Sequence, residues 1–262
     1  MDTDRDGDSV GMPGGAAGDR FPATRMSVLV AARSDDAALR RSGFELLVAG
    51  YWKPVYKYLR LRWNASPEDA QDWTQGFFSK AYEKGFFDRF ESSRARFRTF
   101  LRTCLDGFVS NEKKAASRQK RGGGAAPLSL DFAGAESDMG TRPPEPAARG
   151  AAADGEEIFR REWVRHLFEM AVESLRERCA AAGKTVHFAI FERYDLASDE
   201  DASRPTYADL AREHGITETQ VTNHLAFARR EFRRLALEAL RSLTGDDAEY
   251  EEEARALFGP PR

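Results

Sequence analysis

The stretch Thr206-Tyr207-Ala208-Asp209-Leu210-Ala211-Arg212-Glu213-His214-Gly215-Ile216-Thr217-Glu218-Thr219-Gln220-Val221-Thr222-Asn223-His224-Leu225 decides how this chain is expected to fold. Thr206 and Asp209 stand three apart, the spacing of a capping box, just before the apolar Leu210 and Ala211. Gly215 then breaks the helix and Ile216 packs the turn. Thr217 and Gln220 repeat the capping box and open a second helix. Val221, Leu225, Ala228, Phe232 and Leu235 recur at helical spacing as its buried stripe. Thr219, Gln220, Thr222, Asn223 and Arg230 fall on the other side. Two short capped helices about a glycine turn predict a helix-turn-helix.

Working outward, the rest of the chain carries the same period, and strand-like alternation bounded by turn residues is absent. Ser66-Pro67-Glu68-Asp69 starts a helix: Ser66 caps, Pro67 suits the first turn, and the acids complement the dipole. It is expected to reach Lys84 and stop at Gly85, burying Trp73, Phe77 and Ala81. A second helix places Phe97, Leu101, Cys104, Leu105, Phe108 and Val109 on one face, so Cys104 reads as core. The fold class is therefore all-α. Residues 1–23, rich in Gly, Asp and Ala, read as a disordered tail. Residues 122–157 open with three glycines and carry Pro127, Pro143, Pro144 and Pro146, and they read as a flexible linker. Two helical modules follow from this division, 24–121 and 158–244, with 245–262 left as an acidic tail.

Composition narrows the function classes. With 41% hydrophobic and 32% charged residues in 262, the chain can form a core but favours small helical units. Two cysteines without a CxxC pair and four scattered histidines exclude a disulfide scaffold and offer no metal-ligand spacing. No cofactor is implied. No stretch approaches the ~18 apolar residues of a membrane span and no leader-like run opens the chain, which predicts a cytoplasmic protein without membrane insertion. No phosphate-cradling loop, nucleophile elbow or zinc-protease motif is present, so no catalytic role is expected.

Charge is unevenly placed. The net charge is -3, yet Arg94, Arg96, Arg98, Arg102, Lys113, Lys114, Arg118, Lys120 and Arg121 face only Asp106 and Glu112 between positions 94 and 121, a local charge of +7. Such a stripe neutralises phosphates, although the same pattern also makes an ordinary solvated face. The nearby Phe86, Phe87, Phe90, Phe97 and Phe100 can stack on unpaired bases, or simply form core. The small polar residues at the start of the second capped helix suit base edges in a major groove, with Arg229, Arg230, Arg233 and Arg234 able to reach phosphates. A plain packing hairpin has the same pattern. Glu68, Asp69, Asp72 and Gln75 lie near one side of their helix, either as ordinary N-terminal charge or as a docking face for a basic partner.

The order of these parts resembles the ECF (extracytoplasmic-function) group of bacterial RNA polymerase sigma factors. Tyr51-Trp52 and Asp69-Ala70-Gln71-Asp72-Trp73-Thr74-Gln75-Gly76-Phe77-Phe78 are similar to the polymerase-binding helix of that family. Phe97-Arg98-Thr99-Phe100-Leu101, leading to Ser110-Asn111-Glu112 and Gln119-Lys120-Arg121-Gly122-Gly123-Gly124, resembles the helix that melts and reads the minus-ten element. Tyr207-Ala208-Asp209-Leu210-Ala211 through Arg229-Arg230 resembles the reader of the minus-thirty-five element.

The resemblance implies a protein without catalysis, cofactor or metal that binds core RNA polymerase and promoter DNA, and it leaves room for an anti-sigma partner. Asp69, Asp72, Gln75 and Phe78 would meet the polymerase. Arg96, Arg98, Asn111, Lys113, Lys114, Arg118, Lys120 and Arg121 would hold the opened minus-ten region. Thr217, Thr219, Gln220, Thr222, Asn223, Arg229 and Arg230 would read the upstream element. Two rival classes remain open at this point. One is a helix-turn-helix regulator that binds duplex DNA without polymerase. The other is an adaptor that binds only proteins.

Overall fold

A computed structural model describes residues 28–116, 128–140, 155–197 and 204–260, and among them all regular structure is helical. The elements are α1 (Val28–Ala32), α2 (Ala37–Arg62), α3 (Pro67–Glu83), a 3-10 turn at Phe86–Arg89, α4 (Phe97–Ala116), α5 (Phe132–Gly140), α6 (Gly155–Ala181) and α7 (Thr185–Phe191). A π turn at Glu192–Leu196 continues α7, and α8 (Tyr207–His214), α9 (Glu218–Leu243) and α10 (Asp247–Phe258) complete the chain.

Local chemistry explains most helix ends. Ser66 accepts the Asp69 amide at 3.1 Å to start α3, Lys84 is its C-cap, and Gly85 follows in the left-handed region at φ 56°. Both expected capping boxes form: Thr206 with Asp209 at α8, and Thr217 with Gln220 at α9. Between them Gly215 sits at φ 65°, where a side chain would be strained.

Two apolar cores result. The first gathers Leu47, Tyr51, Val55 and Leu59 of α2, Phe77 and Phe78 of α3, and Phe97, Leu101, Leu105 and Val109 of α4. The second holds Leu175, Ile190, Phe191, Leu210, Val221, Leu225 and Ala228. The first draws on both expected modules, whereas the buried residues of the second all lie within 158–244. α6 gives Ile158, Phe159, Trp163 and Leu167 to the first core, then Ala171, Leu175 and Cys179 to the second. α9 gives Val221 through Ala236 to the second core and Ala239, Leu240 and Leu243 to the first. Gly50 permits this: a Cβ there would stand 2.3 Å from the Leu243 side chain. Tyr51 adds a hydrogen bond from its hydroxyl to the Leu243 carbonyl at 2.8 Å, satisfying an acceptor at the end of α9.

Three features of the structure bear on the expected division into two modules on a flexible linker. The helix α6 starts at Gly155, close to the expected position 158, but its first half packs on the first core through Ile158, Phe159, Trp163 and Leu167. Within the expected linker, residues 128–140 are described and contain α5; residues 122–127 and 141–154 lie outside the described residues, as does the expected tail 1–23. α5 forms because Phe132 packs edge-on against Trp52 and tilted against Tyr56, while Glu136 accepts from the Tyr56 hydroxyl at 2.7 Å and from Arg60 at 2.6 Å. Finally, the acidic tail is largely the helix α10, started by Asp246, whose carboxylate accepts the Glu249 amide. None of the described helices is long and apolar enough to cross a membrane.

Candidate nucleic-acid interface

The basic segment 94–121 divides once its neighbours are known. Arg98 is buried, 3% exposed at the side chain, and paired with Glu253 of α10, equally buried. Its guanidinium also stands 5.5 Å from the Trp163 ring centre on α6. Arg96 bonds Glu252 and lies 3.2 Å from Glu253. Arg102 is bonded to Asp106 at 2.8 Å and to Glu156, the second residue of α6, at 3.0 Å. The start of α4 therefore offers its arginines to carboxylates of this chain, and Arg98 is no surface contact. The reason is burial: a guanidinium with no water must have an acid, and α6 and α10 supply it.

The other end of α4 stays on the surface. Asn111, Lys113 and Lys114 are exposed. The Lys113 ammonium lies 4.8 Å from the Trp63 ring centre and 5.6 Å from Trp73, a cation–π contact that ties α4 to α3. Trp63 is held in turn by its indole N–H, which donates to Asp106 at 2.9 Å. Arg118, Lys120 and Arg121 lie outside the described residues. The phenylalanines Phe87, Phe90 and Phe97 are core, with Phe97 edge-on to Phe90 at 5.2 Å.

On α9 the expected contacts also separate. Thr217 and Gln220 are exposed, but each serves the cap: the Gln220 amide oxygen accepts the Thr217 N–H at 2.9 Å. Gln220 therefore has less to offer a base than its type suggests. Thr222 donates to the Glu218 carbonyl at 3.1 Å. Arg229 is bonded twice to Asp195 at 2.8 Å and faces the Tyr194 ring, and this contact holds its guanidinium above its ordinary pKa. Thr219, Asn223, Ala226 and Arg230 are exposed and spaced at three and four residues, so they form one continuous outward row.

On α3, Asp69 and Asp72 are exposed and Gln75 is half-buried. Phe78 is completely buried, packed edge-on against Phe77 at 5.3 Å and Phe44 at 6.4 Å, so it belongs to the core and meets no partner.

The residues missed from the sequence are the acids: Glu156, Glu249, Glu252 and Glu253. Glu249 and Glu253 at i, i+4 behind the capping residue Asp246 were a legible signal of a helix with one committed acidic face. Glu249 is the most unusual. It accepts the Phe97 amide at 3.0 Å, capping α4, and the Gly245 amide at 2.7 Å beside its own helix start. Burial pushes its carboxyl above the usual range, against the pull of those two amides.

No family model, no curated protein and no solved structure matches the chain.

Proposed function

We propose that this chain is a sigma factor of ECF type, which binds core RNA polymerase in the cytoplasm and directs it to promoters. The observation that carries the reading is the outward row Thr219–Asn223–Ala226–Arg230 at the start of α9, behind a capped α8 and a glycine turn. A helix presented by its N-terminal end, with an amide and hydroxyls outward and an arginine two turns beyond the amide, suits base edges first and phosphate next. The exposed Asn111, Lys113 and Lys114 at the end of α4 support a second, sequence-tolerant contact. Asp69, Asp72 and Gln75 supply the polymerase-facing side of α3, and the polymerase supplies the chemistry.

Run-off transcription with purified core polymerase and fragments of the source genome tests this directly. Defined start sites that depend on the added chain are expected. Core polymerase that gains no start site from any fragment overturns the reading. Specific duplex binding without core polymerase would point instead to a self-sufficient regulator. Asn223→Ala is expected to cost about 1–3 kcal/mol at the preferred upstream element and little at a scrambled one.

A further inference from the structure

α10 touches arginines on both helices assigned to nucleic acid. At the start of α4, Glu252 and Glu253 hold Arg96 just before the helix, Glu253 holds the buried Arg98, and Glu249 caps the helix through the Phe97 amide. On α9, Asp247 bonds Arg241 at 2.6 Å and Tyr250 lies 4.8 Å from its guanidinium. At the far end of α10, the Phe258 carbonyl accepts from Arg233 at 3.3 Å, with the Phe258 ring 5.0 Å away. Arg233 follows Arg230 at three residues, so it prolongs the outward row of α9. One short helix thus sets carboxylates against Arg96, Arg98 and Arg241, and a carbonyl and a ring against Arg233.

We propose that α10 is an intramolecular polyanion: it occupies Arg96, just before α4, and Arg233 and Arg241 of α9, which a nucleic-acid backbone would otherwise neutralise, and nucleic acid binds fully only when α10 gives them up. The inference rests on the nucleic-acid reading of α4 and α9. Its physical basis is competition between carboxylates and phosphates for the same guanidinium groups. Only Thr244 and Gly245 separate the last residue of α9 from the capping residue of α10, so the acids are held at high effective concentration beside their targets. The pairs at the rim are exposed, with Asp247 at 81% and Glu252 at 59%, and they are the ones a passing phosphate can displace first.

The test uses the full chain. Asp247→Lys with Glu252→Lys reverses two exposed acids of α10 and leaves the buried Glu249 and Glu253 in place. Glu45→Lys with Glu83→Lys makes the same charge change on exposed residues away from α10. Affinity for duplex DNA of arbitrary sequence is measured by anisotropy across a salt series. The α10 variant is expected to bind roughly tenfold tighter than the control variant, with a salt slope steeper by about 1.8 for two added phosphate contacts. Hydrogen exchange along α10 and at the Phe97 amide of the unaltered chain is expected to quicken when DNA saturates it. Equal gains in the two variants overturn the proposal, and so does an α10 that stays protected in the DNA-bound chain. Successful run-off transcription alongside either result leaves the sigma reading standing and removes only the mask. DNA binding by none of the proteins, with or without core polymerase, removes both.

Discussion

α4 and α9 both carry basic and polar residues near their starts, and both read as nucleic-acid helices, yet they begin in opposite ways. α9 starts on its own cap, Thr217 with Gln220, and presents Thr219 and Asn223 outward. α4 starts at Phe97 behind Arg96, a poor cap, and its first amide is satisfied by Glu249, 152 residues further on. Its arginines follow the same logic: Arg98 is sealed by Glu253, while Arg230 stays exposed. A helix that caps itself keeps its first turn for a partner. A helix capped from elsewhere is committed to the chain that caps it.

The sharpest way to break this contrast is to remove the buried cation. Arg98→Ala takes from the buried Glu253 its buried partner, leaving it only the more exposed Arg96, and is expected to cost about 3–5 kcal/mol in urea unfolding. Arg230→Ala is expected to change stability by no more than about 0.5 kcal/mol. Equal costs for the two would mean that α10 does not seal α4.

The caps come next. Glu249→Ala orphans two backbone amides and is expected to cost roughly 1–3 kcal/mol. Glu249→Gln keeps one acceptor and turns a donor toward the other amide, so its loss should be smaller. Fluorescence-monitored denaturation of the three proteins would show whether the order holds. Thr217→Ala, which removes a local cap, is expected to cost about 1 kcal/mol. It also unties Gln220, so a change in upstream-element affinity in this variant would show that the cap sets the reading end of α9.

The smallest effect concerns pH. His187 on α7 and His224 on α9 stack with ring centres 3.8 Å apart. Burial, then the neighbouring His224 and Lys184, depress His187 below the ordinary 6.5; burial, then His214, depress His224. The folded chain thus takes up these protons less readily than the unfolded chain. The stabilisation is complete above pH 6.5 and is lost as the pH falls through the depressed folded values. Melting temperatures followed downward from neutral pH should fall less in His187→Phe than in the unaltered chain. An identical fall would place the titration elsewhere.

The charge stripe on α4 shows where sequence reading reached its limit. Nine basic residues between 94 and 121 were visible as a count, but not which of them had acids waiting in three dimensions. Glu156 and Glu253 lie far along the chain from Arg102 and Arg98, and nothing in local spacing links them. Phe78 failed for a related reason: helical periodicity places it beside Phe77, and only the packing of Phe44 shows that both point inward. α5 was hidden because most of its residues are small or acidic, and its stability rests on Phe132 and Glu136 finding α2.

By itself the sequence determined the all-helical class, the capped starts of α3, α8 and α9, the glycine turn at Gly215 and the apolar stripes, since each depends on residues within a few positions of one another. Helix caps and 3.6-residue periodicity are short-range physics. The tertiary structure decided that α6 and α9 join two cores, that α10 is part of the body, and which arginines reach the surface. Those outcomes turn on desolvation and charge pairing between distant segments, as for Arg98 and Glu253, 155 residues apart, where a buried guanidinium takes whichever carboxylate the fold brings beside it.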